Sequence, residues 1–270
     1  MKILLNNNDL NEALNKVSNL GFVPTMGSLH EGHISLIEES KKKASKTIVS
    51  IFVNPKQFNN KKDFKRYPKN YKRDFSILKN LKVNYLYLPK TNQVYDSIRV
   101  KKIQIKKKDK ILCAKYRKGH FEGVLDVMDR LTKKIKPKFI FMGVKDYQQL
   151  YLVKNFVEKK YKCKIIPCKT VRNSKKLALS SRNLLLTKKK ISQAEKIAQN
   201  LIKFKKNLKK IKDIEKAINI KKIELSKMYK INIEYLELRN EKNLKKENSY
   251  RYSKLFIAYY LNKVRLIDNF

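Results

Sequence analysis

The chain is poor in several residue types at once. It has no tryptophan, and only six glycines, three histidines and three cysteines in 270 residues. Acidic side chains are scarce too: 23 Asp and Glu stand against 66 Lys and Arg, a formal charge of +43. No run of about 18 apolar residues occurs, so no membrane-spanning helix is expected. Met1 to Leu10 lacks the charged start and apolar core of a signal peptide. Cys113, Cys163 and Cys168 are odd in number and form no Cys-x-x-Cys pair. They read as reduced thiols in a cytoplasmic protein. The positive charge would suit nucleic acid. The lysines are spread over the whole chain, however, and Asn and Ile are abundant. That pattern reads as the compositional bias of an AT-rich genome, so no specific nucleic-acid partner is expected, only weak attraction to polyanions.

Scarcity makes position informative. The glycines are Gly21, Gly27, Gly32, Gly119, Gly123 and Gly143, and the histidines are His30, His33 and His120. All nine fall in three short windows. The densest is Pro24 to His33, PTMGSLHEGH, which follows the apolar run Leu20 to Val23. That run reads as a buried strand, and the segment after it as a helix. Ser28 and Glu31 have capping-box spacing, which predicts a helix start there. His30 and His33, three apart, would share a face in its first turn. Free N–H groups and the dipole make such a turn suited to phosphate. Gly27 and Gly32 would let a ligand approach the backbone.

Strand and helix signals then alternate. Thr47 to Val53, Val83 to Leu88, Phe139 to Met142 and Cys163 to Cys168 read as strands. Tyr71 to Leu81, Gly123 to Ile135 and a segment capped by Asp146 and running to about Lys159 read as helices. Residues 92 to 118 are basic and carry no clear period. Alternation of this kind predicts an α/β fold with a Rossmann-like, doubly wound parallel sheet. Ligands then bind at the carboxyl ends of the strands, where Met26, Asn54, Gly143 and Val171 lie. After Val171 the texture changes. Ser192 and Glu195 offer a second capping box for a Lys-rich helix with Ile197, Leu201, Leu208 and Ile211. Ile231 to Leu238 and Leu255 to Ile267 look like strands or mixed elements. The expectation is a larger domain over 1–170 and a smaller α+β domain over 171–270 closing over the site.

Four segments together resemble the pantothenate synthetase family of the His-x-Gly-His nucleotidyltransferase superfamily. They are PTMGSLHEGH, Phe52 to Phe58 (FVNPKQF), Gly143 to Leu150 (GVKDYQQL) and Leu177 to Asn183 (LALSSRN). His120 to Val124 and Arg265 to Asn269 also match. The resemblance implies that pantoate attacks the α-phosphate of ATP, and that β-alanine then displaces AMP from pantoyl adenylate. It implies that Met26, Gly27, Ser28, Leu29, His30, Glu31, Gly32 and His33 hold ATP, with His33 as proton donor and His30 assisting. Gly143, Val144, Lys145 and Asp146 match a second ATP segment, with Lys145 neutralising phosphate charge. Val171 matches an adenine contact. Leu179, Ser180, Ser181 and Arg182 match a phosphate loop, where hydroxyls and a guanidinium fork suit pyrophosphate. Gln57 and Gln149 match pantoate ligands, with Gln57 also facing β-alanine. Asp74 matches an acid near Mg²⁺, a cation that takes oxygen ligands. Family members resemble homodimers.

The chain departs from the family pattern at Val144, usually Glu, and at Leu179, usually Met. Asn173 to Lys176 replaces an acidic, glycine-containing turn. Two other readings compete: an adenylyltransferase acting on a phosphorylated substrate, and a basic nucleic-acid-binding protein. Gln57 and Gln149 suit an uncharged, hydroxyl-bearing tail better than a phosphate. The dispersed lysines lack the clustered arms of a nucleic-acid binder.

Overall fold

A computed structural model describes residues 1–96 and 102–270. Residues 97–101 of the unassigned basic stretch lie outside the described residues. The chain divides into two compact units, Met1–Lys110 with Arg117–Lys169, and Ile111–Tyr116 with Thr170–Phe270. Ile111–Tyr116 falls inside the span 1–170 but belongs to the second unit.

The first unit carries the strands β1 (Lys2–Leu4), β2 (Leu20–Thr25), β3 (Lys46–Ile51), β4 (Tyr85–Tyr87), β5 (Phe139–Gly143) and β6 (Lys164–Cys168). Its helices are α1 (Asn7–Leu14), α2 (Glu31–Lys43), α3 (Lys61–Arg66), α4 (Tyr71–Asn80) and α5 (Thr91–Val94). The short α6 (Leu112–Tyr116) goes with the second unit, and α7 (His120–Ile135) and α8 (Tyr147–Lys160) return to the first. The six strands form one parallel sheet in the order β1-β4-β3-β2-β5-β6. Alternate strand residues face opposite sides. The row Val23, Val49 and Leu86 is buried with Leu36 and Ile37 of α2 and Leu78 of α4. The opposite row, Phe22, Ile48 and Ile140, is fully buried as well. A sheet buried on both faces is the doubly wound arrangement expected from the sequence.

The strand order reverses between β2 and β5, the switch point at which such sheets bind ligands. Pairing between these two strands is confined to Gly21 and Phe22. Pro24 lies past the end of that pairing, which is how a proline without an N–H is tolerated in a central strand. Lower down, α2 rests directly on β2. A Cβ on Gly21 would stand 2.2 Å from Ser40 Oγ and 3.0 Å from Ala44 Cβ.

The second unit holds α9 (Lys188–Asn207), α10 (Ile214–Tyr229) and an antiparallel sheet of β7 (Asn232–Asn240), β8 (Ser253–Leu261) and β9 (Val264–Asn269). Ile197 and Leu201 of α9 pack with Leu225 of α10 and with Leu236, Leu255 and Ile257 of the sheet. This is the small α+β unit expected. Its first helix starts earlier than the Ser192–Glu195 pattern suggested: Thr187 is the cap and accepts from the Lys190 N–H. Glu195 is buried instead and accepts from Asn173 Nδ2 at 2.7 Å. The start of α10 lies in a Lys-rich polar stretch where no helix was expected.

Candidate active site

The segment between β2 and α2 is built around two left-handed residues. Gly27 has φ +77° and Ser28 φ +54°. A non-glycine residue in that region needs holding in place. The holder is Asp74, 46 residues along the chain in α4. Its carboxylate accepts the Ser28 N–H at 2.8 Å and the Leu29 N–H at 2.7 Å. The Gly27 N–H goes to Thr25 Oγ1 at 3.2 Å. Asp74 is 1% exposed, so both its oxygens are committed to this loop. It was expected beside Mg²⁺; the structure shows it clamping backbone, with each oxygen accepting one N–H and keeping a second lone pair.

The clamp displaces the start of α2. Ser28 is not the cap; the helix begins at Glu31 and His30 is its N-cap. The His30 ring accepts the Gly32 N–H at 3.1 Å through Nδ1. The His33 ring accepts the His30 N–H at 3.3 Å, also through Nδ1. Two histidines thus cap the helix reciprocally, a task usually given to Ser and Glu. The rings lie 4.1 Å apart between centroids. Gly32 has a reason inside the protein: a Cβ there would stand 2.8 Å from His30 Cε1.

These bonds fix chemistry. A ring nitrogen that accepts an N–H carries no proton, so in both neutral rings the proton sits on Nε2. Burial is the main force keeping both neutral. It lowers the His30 pKa to about 4, with the Lys145 charge adding to the effect and Asp146 opposing it. It lowers that of His33 to about 3, with His30 and Lys145 adding. The site therefore holds two Nε2–H donors and one ammonium at the carboxyl ends of β2 and β5.

Gly143 ends β5, and Val144–Asp146 form a 3₁₀ turn before α8. Asp146 occupies the cap position of α8, as expected, but its side chain makes no capping bond. It lies 3.6 Å from Lys145 Nζ. A Cβ on Gly143 would meet nothing within 4 Å. Gln149, in the first turn of α8, is half-buried, whereas its neighbour Gln148 is buried and donates to the Asp109 carbonyl at 3.1 Å.

Gln57 ends a 3₁₀ turn, Pro55–Gln57, capped by Asn54. Asn54 is 1% exposed and its Nδ2 donates to Gln57 Oε1 at 3.2 Å. The Gln57 amide therefore offers its NH₂ group, which lies 3.0 Å from Met26 Sδ at the end of β2. Asn54 was noted only as a strand end; its orienting role needed the fold. In the second unit, the Leu179 N–H bonds to the Val171 carbonyl at 3.0 Å. Ser180 caps the 3₁₀ turn Ser181–Leu185 by accepting the Arg182 N–H at 3.3 Å. The altered turn before it is closed by Asn173, whose Oδ1 accepts the Leu177 N–H. Arg172 beside it makes a two-pronged pair with Asp268, at 2.7 and 2.8 Å.

The family model for pantoate-β-alanine ligase matches residues 2–270. This chain belongs to the pantoate-β-alanine ligase family. A pantothenate synthetase of Leptospira interrogans is 42% identical over 93% of this chain and 89% of the relative. One of Campylobacter hominis is 39% identical over 100% of this chain and 99% of its own. Among solved structures, a pantothenate synthetase of Thermus thermophilus superposes with a TM-score of 0.93 at 29% identity, covering 100% and 99% of the two chains. A pantoate-β-alanine ligase of Francisella tularensis, complexed with β-γ ATP and β-alanine, superposes at 0.84 with 37% identity, covering 100% and 97%. Membership in this ligase family also bears out the fold expected from the alternating strands and helices. No helix among the described residues is long and apolar enough to cross a membrane. The three cysteines are buried free thiols, and burial raises the pKa values of Cys163 and Cys168 to about 11.

Proposed function

We propose that this chain joins pantoate to β-alanine at the expense of ATP, with pantoyl adenylate as the intermediate. The observation that carries the reading is the cluster of His30 Nε2–H, His33 Nε2–H and Lys145 at the sheet's switch point. The pantoate carboxylate attacks the α-phosphorus, and the bond to the bridging oxygen breaks as pyrophosphate leaves. The amine of β-alanine then attacks the acyl carbon, AMP departs, and the amine loses a proton. No nucleophile of the protein is consumed. Its task is to hold two reactants in line and to stabilise charge moving onto the phosphates. Neutral imidazoles do this as hydrogen-bond donors. With pKa values of about 3 to 4 before ATP binds, neither is a stored acid at neutral pH.

Gln57 and Gln149 are assigned to pantoate, and Gln57 also to β-alanine. An amide NH₂ suits a hydroxyl or carbonyl oxygen. Met26 to His33 and Gly143 to Asp146 are assigned to ATP, and the open space beside Gly143 supports close approach of a ligand there. For Val171, Leu179, Ser180, Ser181 and Arg182 we keep the ATP role implied by the resemblance; Arg182→Ala is expected to raise the ATP KM. Mg²⁺ is assigned to ATP itself. Asp74 accepts two backbone N–H groups and keeps a lone pair on each oxygen, so the place near Mg²⁺ that the resemblance implies is retained for it. Mg²⁺ commonly arrives on phosphates with most of its water retained. A cytoplasmic homodimer completes the reading; sedimentation tests the second half.

The decisive assay is isotope exchange between ATP and pyrophosphate. Exchange should require pantoate and proceed without β-alanine. Exchange that is equal without pantoate would refute the adenylate route.

A further inference from the structure

The segment His120-Phe121-Glu122-Gly123-Val124 has no part in the chemistry described so far, yet it is wrapped around Gln57. His120 opens α7 and is 7% exposed. Its Nδ1 lies 2.7 Å from the Gln57 carbonyl oxygen. Its Nε2 lies 2.8 Å from Arg117 Nη1. A guanidinium can only donate, so Nε2 is the acceptor and the proton belongs on Nδ1. The ring therefore donates to the Gln57 carbonyl, in the tautomer opposite to that of His30 and His33. One turn along α7, Gly123 supports the same backbone. A Cβ there would stand 2.3 Å from the Lys56 carbonyl oxygen and 2.9 Å from the Gln57 nitrogen. The Gly123 carbonyl accepts Asn54 Nδ2 at 3.1 Å, and Asn54 in turn holds Gln57 Oε1.

Gln57 is thus fixed from three directions: its carbonyl by His120, its nitrogen by the bare face of Gly123, its side-chain oxygen by Asn54. What remains is the amide NH₂, which donates one hydrogen to Met26 Sδ at 3.0 Å and has a second for a ligand. We propose that His120 is a positioning residue: through the Gln57 carbonyl it sets where that NH₂ meets pantoate and β-alanine, a role that rests on the assignment of Gln57 above. The Arg117 guanidinium keeps the ring in the donating tautomer.

Steady-state kinetics on five variants test this: Gln57→Ala, His120→Ala, His120→Asn, His120→Gln and the double variant His120→Ala/Gln57→Ala. An Asn amide can stand where Nδ1 stands, and a Gln amide where Nε2 stands. His120→Ala should raise the KM for pantoate and β-alanine about 3- to 10-fold, the range of one lost hydrogen bond, with the ATP KM unchanged. His120→Asn should restore most of the loss and His120→Gln should not. The double variant should be no worse than Gln57→Ala, because His120 then has no side chain left to aim. Additive losses, an equal rise in the ATP KM, or equal behaviour of the Asn and Gln variants would overturn the positioning role. Should His120→Ala fold poorly by circular dichroism, the comparison of the Asn and Gln variants decides alone. If Gln57→Ala itself leaves both KM values unchanged, the assignment of Gln57 falls first and the positioning role with it.

Discussion

Removing the Asp74 carboxylate should loosen the whole phosphate-binding segment. Ser28 and Leu29 are 4% and 3% exposed, so water cannot readily replace the acceptor that their N–H groups would lose. Each buried donor left unpaired costs about 1–3 kcal/mol, which bounds the loss in Asp74→Ala at about 2–6 kcal/mol. Part of this is recovered. Ser28 is held at φ +54°, and letting it relax to an ordinary conformation returns about 1–2 kcal/mol. The mid-points leave a net loss of about 2.5 kcal/mol, which at about 2–4 °C per kcal/mol for chains of this size lowers Tm by roughly 5–10 °C. Asp74→Asn keeps one acceptor but turns an N–H against the second donor, so it should lie between. Thermal unfolding without ligand gives the first reading and the ATP KM the second, since a loosened loop also presents His30 and His33 less accurately. The clamp would be refuted by an Asp74→Ala protein with unchanged Tm whose activity returns at raised Mg²⁺. That result would leave Asp74 to the metal alone.

His33→Ala should lower kcat for adenylation about 10²–10³-fold, the usual loss of one transition-state donor, with little change in ATP affinity; supplying pantoyl adenylate directly should bypass most of the defect. If both half-reactions slow equally, the role is wrong. The free protein should lose stability as the pH falls below 6.5. There the unfolded chain protonates His30 and His33 while the folded chain, with values of about 4 and 3, does not, so the unfolded state binds more protons. A His30→Gln/His33→Gln variant should show a flatter Tm between pH 7 and 4, and an equally steep profile would contradict the tautomer argument. Gly21→Ala should cost about 1–3 kcal/mol by overpacking, because its methyl meets Ser40 Oγ; an unchanged Tm would show that α2 is not seated as described.

Much of the fold was legible because its signals are local. Apolar, β-branched runs gave β2, β3, β5 and β6 to within two or three residues at each end, and their alternation with helices implied the parallel sheet. The cap of α2 was misread for a non-local reason. Ser-x-x-Glu is a real capping pattern, but Asp74 holds Ser28 in a left-handed conformation, whereas a side-chain N-cap is typically extended, and the task passes to His30, at φ −145°. The start of α9 was displaced similarly, Thr187 taking the cap and Glu195 turning inward to Asn173. Helix α10 was hidden because its apolar residues do not form one stripe. Ile214, Ile218 and Leu225 are buried while Ile220, Ile223 and Met228 are exposed. At the candidate site, the His-x-Gly-His spacing placed two rings side by side as expected. The hold of His120 on Gln57 could not be read, because it joins positions 63 residues apart, and the local hold of Asn54 on Gln57 depends on a carbonyl 69 residues away, that of Gly123.

The few glycines do different kinds of work. With only six, each glycine can be asked what the fold requires of it. Gly21, Gly32 and Gly123 have no room for a methyl group, and Gly27 and Gly119 need the left-handed backbone. Gly143 alone meets neither condition: its backbone is ordinary, and among the described residues a Cβ there would meet nothing within 4 Å. No requirement of folding accounts for it, and it sits where the nucleotide is assigned. The bareness that folding leaves unused at Gly143 is the one place among the six where a missing side chain serves a visitor rather than the chain itself.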